Sequence, residues 1–164
     1  MGETELACSA FGQGFTSTMI QEINAMSSVI NGGYYYQPHL VTKILDSSGG
    51  TVKTITPTLL KQTISSAISS DIRSYMELSV QQGTSRHSKV QGYSSGGKTG
   101  TAEKYPRGNG KYLVSFIGFA PVDDPAVVIY VVVDEPNVDD QANSTYAQYI
   151  AQGILSELLP YLNV

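Results

Sequence analysis

The stretch Gly92–Lys104, which reads GYSSGGKTGTAEK, carries the residues whose spacing points most directly to chemistry. Gly92, Gly97, Lys98 and Thr99 fit the pattern G-x-x-x-x-G-K-[ST], in which backbone N–H groups and a lysine hold the phosphates of a nucleotide. Such a loop must lie between a buried strand and the N-terminus of a helix. The flanking segments therefore decide what Lys98 does.

These flanking segments argue against nucleotide binding. Before Gly92 the chain reads SRHSKVQ, which is too polar for a central parallel strand. After Thr99 it reads GTAEKYPRGNGK, where three glycines and a proline prevent a helix. We predict that this loop binds no nucleotide.

A strand that leads into a turn is the alternative structure for GGKTGTAEK. Lys98 and Gly100 then point to one face, and Thr99 and Thr101 to the other. Because the glycines carry no side chain, the backbone of a ligand can approach closely and add as a further strand. The lysine supplies positive charge and the threonines supply hydroxyl donors for a carboxylate. From the residues alone, a glycine-rich hairpin arm without such a role stays open as well.

The composition excludes several other classes of function. With 164 residues and 41% apolar side chains, the chain is long enough for one domain with a core. The net charge of -4 without a basic block argues against a nucleic-acid partner. Cys8 is the single cysteine, and His39 and His87 lie far apart, so we expect neither a disulfide nor a metal site. The longest strongly apolar run, Ala126–Val133, is too short to span a bilayer, and the chain as given is predicted to be soluble.

Hydrophobic periodicity and capping signals predict the elements that position the Lys98 strand. Thr18 and Gln21 match a capping box for a helix over 18–31. A second helix is predicted over 70–82, strands over 95–104, 111–120 and 126–134, and a last helix over 144–159. The short turn between the last two strands makes them antiparallel neighbours. The core face of the last helix is predicted to comprise Ala147, Ile150, Ile154 and Leu158, widened by Leu155 and Leu159.

A peripheral hairpin is predicted near 34–56. The run YYYQPHLVTKIL is followed by the turn DSSGG and the return strand TVKTI. Pro38 restricts the first run to an edge position or a broken strand. The stretch 56–70 shows no clear pattern of either a helix or a strand.

Four ordered stretches resemble the C-terminal part of the transpeptidase domain of penicillin-binding proteins, most closely the membrane-anchored monofunctional class. Lys98-Thr99-Gly100-Thr101 matches the third motif of that family, K-T-G-[TS]. The four stretches are AFGQGFTSTMIQ at 10–21, INGGYYYQPHLV at 30–41, QQGTSRHSKVQGYSSGGKTGTAE at 81–103, which contains this motif, and VSFIGFAPVDDP at 114–125. The resemblance covers nearly the whole chain.

This resemblance implies acyl transfer from a D-alanyl-D-alanine stem peptide through an acyl-serine, with β-lactams as further ligands and no metal or organic cofactor. Lys98 and Thr101 would be catalytic: the lysine beside the serine of the family's S-x-N motif, and the Thr101 N–H in the oxyanion hole. Thr99, Gly100 and Thr101 would bind substrate. A β-lactamase or β-lactam sensor of the same fold is the alternative, against which the F-G-Q-G segment argues.

The family's nucleophile motifs are missing from the sequence. S-x-x-K occurs once, as Ser95–Lys98, with two glycines inside it, and S-x-N does not occur. The related Y-x-N occurs once, at Tyr161–Asn163. We attribute both matches to chance. We therefore expect residues 1–164 to be the C-terminal portion of one transpeptidase domain, cut after S-x-N, without a nucleophile and inactive alone. Taken literally, such a chain is closer to a non-catalytic peptide-binding module.

The fold class expected is α+β: an antiparallel sheet with helices packed on its faces, forming part of a serine D,D-transpeptidase or β-lactamase-like fold. Strand 126–134 is apolar on both faces, so its edge away from strand 111–120 is expected to be open. We predict that the chain associates with itself through this edge or through an exposed sheet face. The family class implies that the parent protein is anchored in the membrane, with this domain outside the cytoplasmic membrane.

Overall fold

The computed structural model describes residues 2–164. Its helices are α1 (Glu3–Ser9), α2 (Met19–Ile30), α3 (Ser66–Gln81) and α4 (Thr145–Leu162), and a 3₁₀ turn lies at Arg86–Ser88. Its strands are β1 (Tyr34–Tyr36), β2 (Lys43–Leu45), β3 (Thr51–Thr54), β4 (Leu59–Gln62), β5 (Gly96–Glu103), β6 (Tyr112–Ala120) and β7 (Val127–Asp134).

The central sheet has the strand order β5-β6-β7, and both pairings are antiparallel. Lys98 lies opposite Ile117, which in turn lies opposite Tyr130. The three predicted strands are confirmed, with ends that differ by no more than one residue from those expected. Since β5 continues beyond Thr99 as a strand, no helix N-terminus follows Lys98 to hold a phosphate.

Helices cover both faces of this sheet, as the α+β prediction required. On one face, Phe116 packs against Ala147 and Ala151 of α4. On the other face, Phe119 packs in a cluster with Ile30 of α2 and Met76 of α3. Because all six of these side chains are nearly excluded from solvent, the sheet is the middle layer of the core.

Helix α2 begins as predicted, and α3 begins earlier than predicted. The Thr18 N–H donates to Gln21 Oε1 at 2.8 Å, and the Gln21 N–H donates to Thr18 Oγ1 at 3.3 Å, which completes the capping box. For α3, the hydroxyl of Ser65 accepts a hydrogen bond from the Ile68 N–H at 3.3 Å. This cap adds a first turn whose side chains lack the apolar pattern from which the helix over 70–82 was predicted.

The predicted core face of α4 is wrong for Ile150 and Ile154, each of which is 47% exposed. The buried stripe repeats every four residues: Ala147, Ala151, Leu155 and Leu159. Alanine lets the helix backbone approach the ring of Phe116. The buried amide of Gln148 fixes the rotation of the helix by accepting a hydrogen bond from the His87 N–H at 3.1 Å.

The peripheral region contains two small sheets where one hairpin was expected. Strands β2 and β3 pair around the DSSGG turn, as predicted. Strand β1 instead pairs with β4, with Tyr34 opposite Gln62, although no strand was predicted at the position of β4. The four residues of β4 are all exposed, so they leave no burial pattern in the sequence. Helix α1 was likewise not predicted.

An ion-pair cluster joins the far ends of β5 and β7 across β6. Lys104 Nζ lies 2.8 Å from Glu135 Oε1 and 2.9 Å from Asp134 Oδ1, and Lys111 Nζ lies 2.9 Å from Glu135 Oε2. The hydrogen bond from Lys104, followed by that from Lys111, lowers the pKa of Glu135 from 4.5 to about 2. The cluster therefore ties the β5–β6 loop to the end of the third strand.

The variant Glu135→Gln is expected to reduce the dependence of stability on acidic pH. Because the pKa of Glu135 is lower in the folded chain, its ionised form stabilises the fold above about pH 4.5, and this contribution is lost as the pH falls toward 2. The unfolding free energy, measured by chemical denaturation, should differ most between wild type and variant at neutral pH and converge in acid. Glu157→Gln, at an exposed carboxyl of α4, is the control. A constant difference between wild type and Glu135→Gln at all pH values would contradict the assignment.

Candidate functional site

Strand β5 is an edge strand. Its backbone N–H and C=O groups point alternately toward β6 and toward the open side of the sheet. Within residues 2–164, its one neighbour in the sheet is β6. On the other side, the Gly97 carbonyl accepts a hydrogen bond from Ser85 Oγ at 3.3 Å, and the Thr99 carbonyl accepts one from Lys98 Nζ at 2.8 Å. In an antiparallel pair the N–H and C=O of every second residue point the same way. This alternation directs the N–H and C=O of Thr101 outward too.

The side chains of the K-T-G-T residues alternate between faces as the sequence predicted. Lys98 and Gly100 lie opposite Ile117 and Ser115 on β6, on the face that α2 and α3 cover in part. Thr99 and Thr101 lie on the opposite face, which α4 covers. A Cβ at Gly100 would overlap the hydroxyl of Ser115, so glycine is needed for this approach of the two strands.

A pocket of about 720 Å³ lies on the Lys98 face of the sheet. Its sheet side is formed by Lys98, Thr99, Gly100, Thr101, Ala102, Leu113, Ser115, Ile117 and Tyr130, and its other side by Ala10, Phe11, Gly12, Gln13, Phe15, Ser17 and Glu22. Gly12 and Gly14 have φ values of 83° and 84°, so glycine suits the bends of this second wall. The sequence reasoning treated AFGQGF only as a family marker and missed its place beside Lys98.

The charged groups of this pocket are one lysine and one glutamate. Lys98 is exposed, and its ammonium hydrogen-bonds only to the carbonyl of the next residue among residues 2–164. Glu22 accepts a hydrogen bond from the Ser17 hydroxyl on the opposite wall. An exposed ammonium beside an open strand edge can attract an anionic ligand and can turn toward it.

The two threonine hydroxyls of the motif have different partners. Thr101 Oγ1 donates to the Ala142 carbonyl at 3.4 Å, in the loop between β7 and α4. Thr99 Oγ1 lies 3.4 Å from Thr84 Oγ1, in the segment that follows α3. Sequence reasoning missed both Thr84 and Ala142. The G-T pair at Gly83 and Thr84 was a usable signal, whereas a backbone carbonyl such as that of Ala142 leaves none.

Ser95, the serine of the single S-x-x-K match, lies in the segment before β5 and not on a helix. It is 6% exposed, and its hydroxyl has no hydrogen-bond partner in the part of the chain that the structure describes. A serine nucleophile needs a base within hydrogen-bond reach. Ser95 and Lys98 therefore lack the geometry of a nucleophile and base one helical turn apart.

No helix within residues 2–164 is long and apolar enough to cross a membrane. No three side chains of histidine, cysteine, aspartate or glutamate come together there as a possible metal site.

Comparison with known proteins identifies relatives along the whole chain. Stage V sporulation protein D of Bacillus subtilis is 45% identical over 170 residues, which is 100% of this chain and 26% of that protein. A protein of Mesostigma viride named as a peptidoglycan D,D-transpeptidase FtsI homolog is 27% identical over 94% of this chain and 29% of its own length. The chain thus spans between a quarter and a third of these relatives.

Solved structures and a family model agree with this result. The crystal structure of penicillin-binding protein 3 from Mycobacterium tuberculosis, complexed with aztreonam, matches with a TM-score of 0.84 and 26% identity over 98% of this chain and 39% of that one. The model for the penicillin binding protein transpeptidase domain matches residues 3–156. The chain therefore belongs to the transpeptidase domain family of the penicillin-binding proteins.

Proposed function

We propose that this chain supplies the substrate-binding strand of a serine D,D-transpeptidase that cross-links peptidoglycan and binds β-lactams. The observation that carries the proposal is the position of Lys98–Thr101 on an open strand edge, with the Lys98 ammonium exposed in a pocket beside it. Family membership and the names of the relatives support the same activity. The titles of solved relatives with aztreonam or ampicillin bound support β-lactams as ligands.

Within this activity, each residue of the strand has a separate task. An extended stem peptide adds to the outer edge of β5 through backbone hydrogen bonds. Lys98 supplies positive potential to its terminal carboxylate and hydrogen-bonds the serine of an S-x-N motif. Thr99 and Gly100 contact the substrate, and the outward N–H of Thr101 stabilises the oxyanion that forms when a serine attacks the peptide carbonyl.

The nucleophile comes, in this proposal, from a further segment of the same domain. Residues 1–164 then form the C-terminal portion of one transpeptidase domain, consistent with the 26% of the sporulation relative that they span. The pocket beside Lys98 is the place where a helix bearing S-x-x-K would complete the site. We further propose that the intact protein has a membrane anchor, with this domain outside the cytoplasmic membrane.

The chain alone is expected to form no covalent adduct with a penicillin. Ser95 is its one candidate nucleophile by motif, and it is buried without a base. Intact-mass spectrometry after incubation with a labelled penicillin measures this directly, and a complete penicillin-binding protein serves as the positive control. A stoichiometric adduct on Ser95 would contradict the proposal that the nucleophile lies elsewhere. The result would instead favour a self-contained β-lactam-binding protein.

Lys98→Ala should slow acylation of the completed domain by about 100-fold or more, the usual loss when a group that stabilises the transition state is removed. The domain is completed by joining the preceding transpeptidase segment of the Bacillus subtilis relative to this chain. Acylation by a fluorescent penicillin is then followed under single-turnover conditions. Lys53→Ala, in the exposed hairpin strand β3, is the matched control and should leave the rate unchanged. An unchanged rate in Lys98→Ala would overturn the role of the strand.

We also propose that the isolated chain associates with itself through β7. Its outer edge has no strand partner in residues 2–164, and Val127–Val133 is apolar on both faces. Gln148 and Gln152 hydrogen-bond the segment 87–89, which lies on the β5 side of α4. By helical spacing, Ile150 and Ile154 therefore lie on the β7 side. An open apolar edge beside an exposed apolar helix flank favours antiparallel pairing with the β7 of a second copy.

Substitution of Ile150 and Ile154 by lysine should shift this association toward monomer, because like charges would meet across the interface. Light scattering at micromolar concentration measures the mass, to be compared with the 17.6 kDa of one chain. Tyr105→Lys, in the loop between β5 and β6 and 93% exposed, is the control and should leave the oligomer intact. A wild-type monomer that binds no apolar dye would contradict the proposal.

A further inference from the structure

At the beginning of β5, a side chain occupies the outer edge of the strand. From Thr99 onward, no strand pairs with this edge within residues 2–164. Ser85 is fully buried, and its hydroxyl donates to the Gly97 carbonyl at 3.3 Å. The hydroxyl of Ser79, in the last turn of α3, donates to Ser85 Oγ at 2.9 Å. This serine pair occupies the edge at Gly97, so an added peptide strand can pair only with the residues that follow, from Thr99 onward.

The closed end determines which end of a peptide lies there. A peptide that adds antiparallel to β5 runs in the opposite direction, so its C-terminus reaches the Gly97 end of the strand. The first exposed side chain at that end is Thr84, which directly precedes the buried Ser85. The terminal carboxylate of such a peptide therefore meets the Thr84 and Thr99 hydroxyls.

The hydroxyls of Thr84 and Thr99 lie next to each other, and both can donate a hydrogen bond to a ligand. Their oxygens are 3.4 Å apart, well beyond the 2.7–2.8 Å typical of a hydroxyl hydrogen bond. Neither hydroxyl has another hydrogen bond within residues 2–164, whereas that of Thr101 donates to Ala142. A carboxylate has two oxygens that only accept hydrogen bonds, so each can take one of these donors.

The backbone before Thr84 holds this pair in place. A Cβ at Gly83 would lie 2.9 Å from the backbone of Ser79, so the chain folds back tightly against α3 only because this residue is glycine. The Ser85 N–H then donates to the Ser79 carbonyl at 3.1 Å. Thr84 therefore has a fixed backbone, which reduces the entropy lost when its hydroxyl binds a ligand.

We propose that Thr84 and Thr99 form a two-hydroxyl clamp for the terminal carboxylate of the bound peptide, which makes Thr84 a residue that determines specificity for a free C-terminus. This inference rests on the proposed function, since it names how the same strand recognises the end of its substrate. Hydrogen bonds to a charged group are stronger than those between neutral groups. A peptide whose C-terminus is a neutral amide should therefore lose most of the benefit of the clamp.

The test is binding of diacetyl-lysyl-D-alanyl-D-alanine and of its C-terminal amide to this chain, followed by NMR titration of backbone amides. Wild type should bind the acid about tenfold more tightly than the amide. Thr84→Val should bind the amide as wild type does and lose most of the preference for the acid. Thr84→Ser, which keeps the hydroxyl, should restore the preference, and Thr54→Val in the exposed strand β3 should not affect it.

The outcomes separate the two proposals. If wild type prefers the acid and Thr84→Val keeps that preference, the clamp is wrong and the binding strand stands. If wild type binds both peptides equally, the clamp is wrong and the binding strand stands. If wild type binds neither peptide, the binding strand itself is contradicted, and the clamp with it. Because Thr84 is exposed, thermal unfolding of its variants should match that of wild type, which separates loss of binding from loss of fold.

Discussion

The close approach of β5 to β6 is the constraint on which the rest of the structure depends. A Cβ at Gly96 would overlap the ring of Phe119, and one at Gly97 would overlap the ring of Phe116. Both rings are almost completely buried and are held by helices on opposite faces of the sheet. The two glycines allow the rings to pack directly against the backbone of β5. The core therefore fixes the position of the first residues of the strand that carries Lys98.

The position of every functional group on β5 follows from this packing. The strand is fixed at its start by the rings and by Ser85, and at its far end by the ion pairs of Lys104 with Asp134 and Glu135. Between these two points no second strand pairs with the backbone within residues 2–164, and on the outer edge the Thr99 carbonyl accepts a hydrogen bond from Lys98 Nζ. The edge is thus rigid without being covered, which is the condition under which backbone donors can bind a ligand at little entropic cost.

The sequence predicted the elements with strong local signals and missed those that depend on tertiary contacts. The capping box at Thr18, the three central strands and the DSSGG hairpin are encoded within short windows, and all were predicted. The rotation of α4 was not, because it depends on the fit of Ala147 and Ala151 against Phe116, although Ile150 and Ile154 are the larger apolar residues. Strand β4 is fully exposed and has no apolar alternation, so it is recognisable only by its partner β1.

The same distinction applies to the site. Lys98, Thr99, Gly100 and Thr101 are contiguous, so a single motif finds all four. The Thr84 hydroxyl, the Ala142 carbonyl and the wall formed by Phe11 and Phe15 come from three distant segments, which only the folded chain brings to β5. Residue types alone do not reveal such neighbours, because a surface threonine and two exposed phenylalanines are compatible with many roles.

The two outer edges of the central sheet differ in chemistry, and this difference separates the roles that we propose for them. Strand β5 contains glycines, threonines and a lysine. The polar side chains keep its edge hydrated and disfavour stable pairing with a strand of another chain. Strand β7 presents valine, isoleucine and tyrosine over seven residues, without a charge until Asp134. A ligand that must bind and leave suits the first edge, since its contacts replace hydrogen bonds to water. The edge of β7 suits a strand that remains paired, since pairing there removes apolar surface from water on both faces of the sheet.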